Sequence, residues 1–156
     1  VFCDLDPVAE KAGISIHFDD SSSQDLHTDV HTPDASALNN NIRNITGSYV
    51  LLYRAVYNLV ENAIKYNRPN GSVTVSVKEK NSQVMILVKD TGIGISEQHQ
   101  GTIFKRFYRE DAVHDVDGIG IGLYLAREIV TLQGGYIRVA SEVGKGSTFS
   151  VFLLRK

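Results

Sequence analysis

The chain has 156 residues with a formal net charge of −2, 42% of them hydrophobic and 22% charged. That is the length of one domain able to bury a real core, with the composition of a soluble globular protein, and its charge gives no reason to expect nucleic acid or an anionic membrane as partner. A lone cysteine, Cys3, excludes an internal disulfide or a cysteine metal cluster and suits a reducing compartment, and no apolar run approaches a membrane span.

Asp4 to Ala12 reads as a short helix closed by Gly13, and Ile14 to Phe18 alternates as a strand. Residues 19–46 are rich in Ser, Asp, Asn and Thr, and two short strands with loops are expected there. Tyr49 to Asn67 is the clearest helix. Its Leu52, Ala55, Val56, Leu59, Val60, Ala63 and Ile64 recur at three- and four-residue spacing, and Pro69-Asn70-Gly71 turns the chain afterwards. Val73, Val75 and Val77 alternate as a strand, and Lys80-Asn81-Ser82 leads into a second, Val84 to Asp90. Residues 97–117 read as polar loop with one or two helical turns. Ile121 to Leu132 is a second amphipathic helix stopped by Gly134-Gly135, and Tyr136 to Ala140 with Ser147 to Leu154 form a closing hairpin. Strands bunched between a few helices imply an α+β two-layer sandwich, its sheet mixed but mostly antiparallel, with helices on one face.

Four short stretches carry candidate chemistry. On the first long helix, at about 100° per residue, Asn58, Asn62 and Lys65 fall within roughly 60° of one another, with Arg54 and Glu61 in or near that arc. Asparagine inside a helix costs on the order of 0.5 kcal/mol against alanine. Two of them four apart suit coordination of Mg²⁺ by a side-chain amide oxygen, with Lys65 meeting a phosphate as a point charge. On this helix alone a solvated polar face with a Glu61–Lys65 pair is equally good. Asp90 ends an apolar strand, with Gly92 and Gly94 after it. A carboxylate in a pocket accepts from an exocyclic amine such as that of adenine, but an ordinary Asp–Gly turn is the better reading in isolation.

Gly118, Gly120 and Gly122 precede the second helix, where free amides attract phosphate; a flexible loop is the bland alternative. The spacing is neither the dinucleotide fingerprint nor a Walker loop. Between the glycine stretches, Lys105, Arg106 and Arg109 interleave with Phe104, Phe107 and Tyr108, either as phosphate-seeking cations or as a surface turn with an apolar underside. The following Glu110, Asp111, Asp115 and Asp117 read as a solvated outer face. Ser147, opening the last strand, has a hydroxyl suited to buttress the base-binding carboxylate, or is simply a strand-favouring residue. His17, His27, His31, His99 and His114 have no metal-like spacing.

In this order, Asn58-Leu59-Val60-Glu61-Asn62-Ala63-Ile64-Lys65-Tyr66, Asp90-Thr91-Gly92-Ile93-Gly94, Ile103-Phe104-Lys105-Arg106-Phe107-Tyr108-Arg109 and Gly118-Ile119-Gly120-Ile121-Gly122-Leu123 resemble the N, G1, F and G2 boxes of sensor histidine kinases. The resemblance runs from about Leu5 to Leu154 and implies the Bergerat ATP-binding fold. It implies that Asn62 coordinates Mg²⁺ with Asn58 assisting, that Lys65 and Tyr66 lie near phosphates or ribose, and that Asp90 accepts from the adenine amine. Gly92, Gly94, Ile95, Phe107, Gly118, Gly120, Ile121, Gly122, Leu123 and Ser147 would complete the ATP site. Residues 98–117 would be a lid whose Arg106 and Arg109 reach the phosphates. Ile119, Lys105 and Ser48 depart from the family's common threonine, glutamate and aspartate.

The implied function is transfer of the γ-phosphoryl group of Mg-ATP to a histidine on a separate dimerisation domain in two-component signalling. The implied partners are that domain, a response-regulator receiver domain and ATP or ADP, with no nucleic acid and no direct membrane contact. No histidine here has the phosphoacceptor's context. One catalytic domain over 1–156 is therefore expected, with the helical hairpin N-terminal to Val1, in a cytoplasmic setting within a membrane-anchored parent. Direct ATP hydrolysis is a weaker alternative, since Asn58 stands where the hydrolytic branches carry glutamate and Glu61 points elsewhere. A nucleotide-sensing or protein-interaction module of the same fold is the other.

Overall fold

The computed structural model describes residues 2–19, 47–80, 82–108 and 120–154. Among these run four helices, α1 (Phe2–Ala12), α2 (Tyr49–Lys65), α3 (Glu97–Gln100) and α4 (Gly122–Leu132). Five strands accompany them: β1 (Ser15–Asp19), β2 (Ser72–Lys80), β3 (Gln83–Asp90), β4 (Tyr136–Glu142) and β5 (Gly146–Leu154). The two short strands expected within 19–46 lie outside the described residues, Asp19 apart, which ends β1.

The strands form one sheet in the order β1-β2-β3-β5-β4, with β1 parallel to β2 and every other pair antiparallel. The mixed, mostly antiparallel sheet expected from the hairpin connections is present. Registers align one apolar face: Val75 sits opposite Val88, and Val88 opposite Phe149. On β3 the buried positions are Val84, Ile86, Val88 and Asp90, so the period of two that places valines in the core delivers a carboxylate to the same face.

The apolar stripe of α2 is buried as its spacing predicts, with Ala55, Leu59, Val60, Ala63 and Ile64 in the core. Ser48 caps its start, its side chain accepting from the Leu51 amide at 3.4 Å. Gln133, just past α4, accepts from the Ser48 amide at 2.9 Å and so ties the two long helices together at that end. The helix stops at Lys65 rather than Asn67. The Tyr66 carbonyl is taken by the Ile93 amide at 3.1 Å, and the Asn67 amide group donates to the Ser72 carbonyl at 3.0 Å. Those bonds bend the chain into β2 and fasten the loop after β3 to the end of α2. On α4, Ala126, Ile129 and Val130 are buried, and Phe149 meets Phe104 edge to face at 6.2 Å. No helix among the described residues is long and apolar enough to cross a membrane.

Candidate nucleotide-binding site

A cavity of about 320 Å³ opens between α2, the loop after β3, the start of α4 and the first turn of β5. That is within the range of small-molecule sites. One wall is the polar arc of α2: Arg54, Asn58, Glu61, Asn62 and Lys65 all line it, with Tyr66 at its end. The helical geometry that grouped them in sequence groups them in space. Glu61 departs from expectation. Read as pointing elsewhere, it borders the cavity from an exposed position at the outer edge of the arc.

Asp90 forms the inner end. It is 7% exposed, and its Oδ1 accepts from the Gly92 amide at 2.8 Å and the Ser147 amide at 3.1 Å. Both fixed donors go to one oxygen, and among the described residues Oδ2 accepts none. Burial pushes the carboxyl above the ordinary aspartate range, and the two backbone donors act against that shift. Ser147 therefore supports the carboxylate with its backbone, whereas the hydroxyl expected to do so turns to Ser141 at 2.8 Å. Asn58, on the α2 wall of the same cavity, is buried, and its Nδ2 has no partner among the described residues. An unpaired buried donor costs about 1–3 kcal/mol, so a group that fills the cavity with an acceptor would recover it.

The glycines differ in purpose. Gly92 does not line the cavity; a Cβ there would run into the Tyr66 carbonyl oxygen, so it is glycine for the close approach of loop and helix. Gly94 lines the cavity, has φ +74°, and a Cβ there would strike the Glu142 carbonyl. Gly120 and Gly122 line the cavity, and among the described residues nothing lies within 4 Å of a Cβ built on Gly122.

Ile95, Ile121, Leu123 and Ser147 line the cavity as expected. Ile93, Ile103, Tyr108 and Leu125 add apolar wall that sequence reasoning did not assign. The first three lie within or beside motifs already singled out, and Leu125 follows from Ile121, four residues earlier, by helix geometry. Arg106 and Phe107 are not part of the lining: the Arg106 guanidinium lies 4.7 Å from the centre of the exposed Phe107 ring. Arg109 and Gly118 lie outside the described residues, as do residues 109–117 of the expected lid.

Among the described residues no cluster of His, Cys, Asp or Glu could hold a metal ion. The donors that face the cavity instead suit a hard cation carried in with phosphate. The Asn62 amide oxygen can supply one ligand, and phosphate and water the remainder.

The family model described as histidine kinase-, DNA gyrase B- and HSP90-like ATPase matches residues 47–156. The chain belongs to this family. It is 36% identical over 118 residues to the circadian input-output histidine kinase CikA of Synechococcus elongatus, covering 74% of this chain and 16% of that protein. It is 39% identical over 98 residues to the sensor protein SrrB of Staphylococcus aureus, covering 62% of this chain and 17% of that protein. It thus spans about a sixth of the length of these relatives. Its fold matches that of the mycobacterial sensor histidine kinase MprB, with TM-score 0.73 and 24% identity over 97% of this chain and 89% of that one. Full-length ShkA in complex with AMPPNP matches with TM-score 0.75 and 24% identity over 96% of this chain and 27% of that one. The resemblance read from the four stretches and the fold it implied are thereby established.

Proposed function

We propose that this domain binds Mg-ATP in the cavity beneath α2 and donates its γ-phosphoryl group to a histidine on a separate dimerisation domain. The observation that carries the reading is Asp90. It is a largely buried carboxylate, with Oδ2 free of backbone donors among the described residues, lining the same cavity as Asn58, Asn62 and Lys65 on α2. Asp90 accepts from the exocyclic amine of adenine and so fixes the purine at the inner end, which directs the triphosphate toward the α2 arc. Lys65 offers a cation to it, and Asn58 Nδ2 a donor for a ligand oxygen. Asn62 would hold Mg²⁺, which when bound supplies charge neutralisation to the phosphates. The acceptor imidazole nitrogen forms a bond to the γ-phosphorus as the bond to the ADP oxygen breaks, and the imidazole gives its proton to solvent. Little covalent chemistry is asked of the domain, and rate comes from positioning and electrostatics.

That AMPPNP accompanies ShkA, and that ThkA has been solved with the response regulator TrrA, supports a nucleotide ligand and a response-regulator partner for this chain as well. A cytoplasmic position in a membrane-anchored parent fits the same reading. The test is calorimetric titration with ATP with and without Mg²⁺, followed by transfer of labelled phosphate to a supplied histidine domain. Saturable binding and transfer that Asn62→Ala abolishes are expected; wild-type transfer in that variant would overturn the assignment of the cation. The place of Glu61 on the cavity rim favours one second reading, direct hydrolysis with Glu61 as base. Steady ATP turnover lost in Glu61→Gln, without a histidine domain present, would support it.

A further inference from the structure

Ser141, on the edge strand β4, was assigned no role by the sequence and does not line the cavity, yet three elements of the site meet at its hydroxyl. Its Oγ accepts from the Ile95 amide at 2.8 Å, lies 2.9 Å from the Gly146 carbonyl oxygen, and lies 2.8 Å from the Ser147 hydroxyl. A serine hydroxyl has one proton and two lone pairs. The Ile95 amide can only donate, so Ser141 accepts there. The Gly146 carbonyl can only accept, so the single Ser141 proton goes to it. The third bond then has one possible direction: Ser147 donates to Ser141. Gln100 holds the arrangement in place, its Nε2 donating to the Ser141 carbonyl at 2.9 Å and the Ile95 carbonyl at 3.1 Å. The cross-strand pairing of Ser141 with Ser147 fixes the remaining side.

With its proton committed to Ser141, Ser147 has only lone pairs left for the cavity it lines. Its amide meanwhile holds Asp90 Oδ1, so the hydroxyl oxygen and the carboxylate belong to one corner. We propose that Ser141 is a positioning residue for base selection. By consuming the Ser147 proton it makes this corner acceptor-only, which suits an amino-bearing purine edge and disfavours a 6-oxo edge. The proposal rests on the nucleotide reading above and adds to it a residue outside the cavity that sets the polarity within.

The test is calorimetric titration of the whole chain with Mg-ATP and with Mg-inosine triphosphate, which replaces the 6-amino group by a 6-oxo group. Wild type is expected to prefer ATP. In Ser141→Ala the Ser147 hydroxyl is free to rotate and donate into the cavity. The preference should then shrink roughly five- to tenfold, the worth of one ordinary hydrogen bond. Ser141→Thr, which retains the hydroxyl, should keep the wild-type ratio. Ser147→Ala should narrow the ratio as well, and Ser141→Ala added to it should narrow it no further. A merely structural role would weaken both nucleotides together, so an unchanged ratio in Ser141→Ala overturns the proposal while the nucleotide site stands. Should Ser141→Ala fail to fold, an unchanged ratio in Ser147→Ala overturns it equally. A wild type that binds both nucleotides with equal affinity overturns the base-selection proposal and the Asp90 assignment together, and one that binds neither overturns the nucleotide reading itself.

Discussion

Replacing Asp90 by asparagine separates what the fold needs from what a ligand needs. The side chain is 7% exposed, and its Oδ1 accepts two backbone amides, which an asparagine Oδ1 can also do. The fold therefore keeps its contacts. It also sheds a buried charge: burial raises the folded-state pKa, so the unfolded chain ionises first as pH rises. The favourable contribution of Asp90 is full at pH below its unfolded value and is lost as pH rises through the folded one. At neutral pH, Asp90→Asn should leave the melting temperature unchanged or higher. Affinity should move the other way. The second oxygen, which accepts from the base, becomes an NH₂ that faces another donor. Loss of a hydrogen bond to a charged group is worth about 1.5–3 kcal/mol, or about 10- to 150-fold in Kd. Thermal melts and calorimetry on the same preparations measure both. In wild type, affinity should also fall on acidification, starting above the ordinary aspartate range. That fall should be missing in the variant, which controls for titration of the nucleotide. An Asp90→Asn protein with wild-type affinity for ATP would refute the reasoning.

Gly94→Ala should destabilise the domain by about 1–2 kcal/mol or more in denaturant titration, because φ is +74° and the Cβ meets the Glu142 backbone. Gly122→Ala is the counterpart: among the described residues nothing lies within 4 Å of its Cβ and it opens a helix, so the denaturation midpoint should hold or rise while nucleotide affinity drops. Phe149→Ala empties a 1% exposed core position and should cost about 3–5 kcal/mol, a large part of a typical domain's total, with an early thermal transition as the sign. Asn58→Leu removes the unpartnered Nδ2 from a buried position; stability should be kept or gained in thermal melts, and ATP affinity lost.

What the sequence disclosed follows how local each determinant is. The α2 wall was readable because one helix carries both its parts: an apolar stripe that fixes the buried side, and a polar arc whose angular position then follows from 3.6 residues per turn. Asp90 was singled out by the resemblance, since in isolation an ordinary turn read better; the structure supplies the local reason, as alternation along β3 puts Val84, Ile86 and Val88 inward and the next inward position is the carboxylate. Glu61 sits in or near the arc by sequence, but how it relates to the cavity depends on where the facing wall stands, which nothing on α2 encodes. The glycines looked alike in sequence, yet Gly92 and Gly94 approach the backbone of Tyr66 and Glu142 closely, while Gly122 has no such neighbour among the described residues. Ser141 is the furthest case. β4 alternates between exposed and half-buried residues, and a serine on it reads as surface. Its importance arises only when β4 pairs with β5 so that Ser141 faces Ser147, and when the loop after β3 brings the Ile95 amide to the same oxygen. A one-residue slip in that hairpin would turn Ser141 to the other face and leave Ser147 free to donate. On the base-selection proposal the polarity of the base-binding corner follows from strand register, and nucleotide preference would then be a readout of how the closing hairpin pairs.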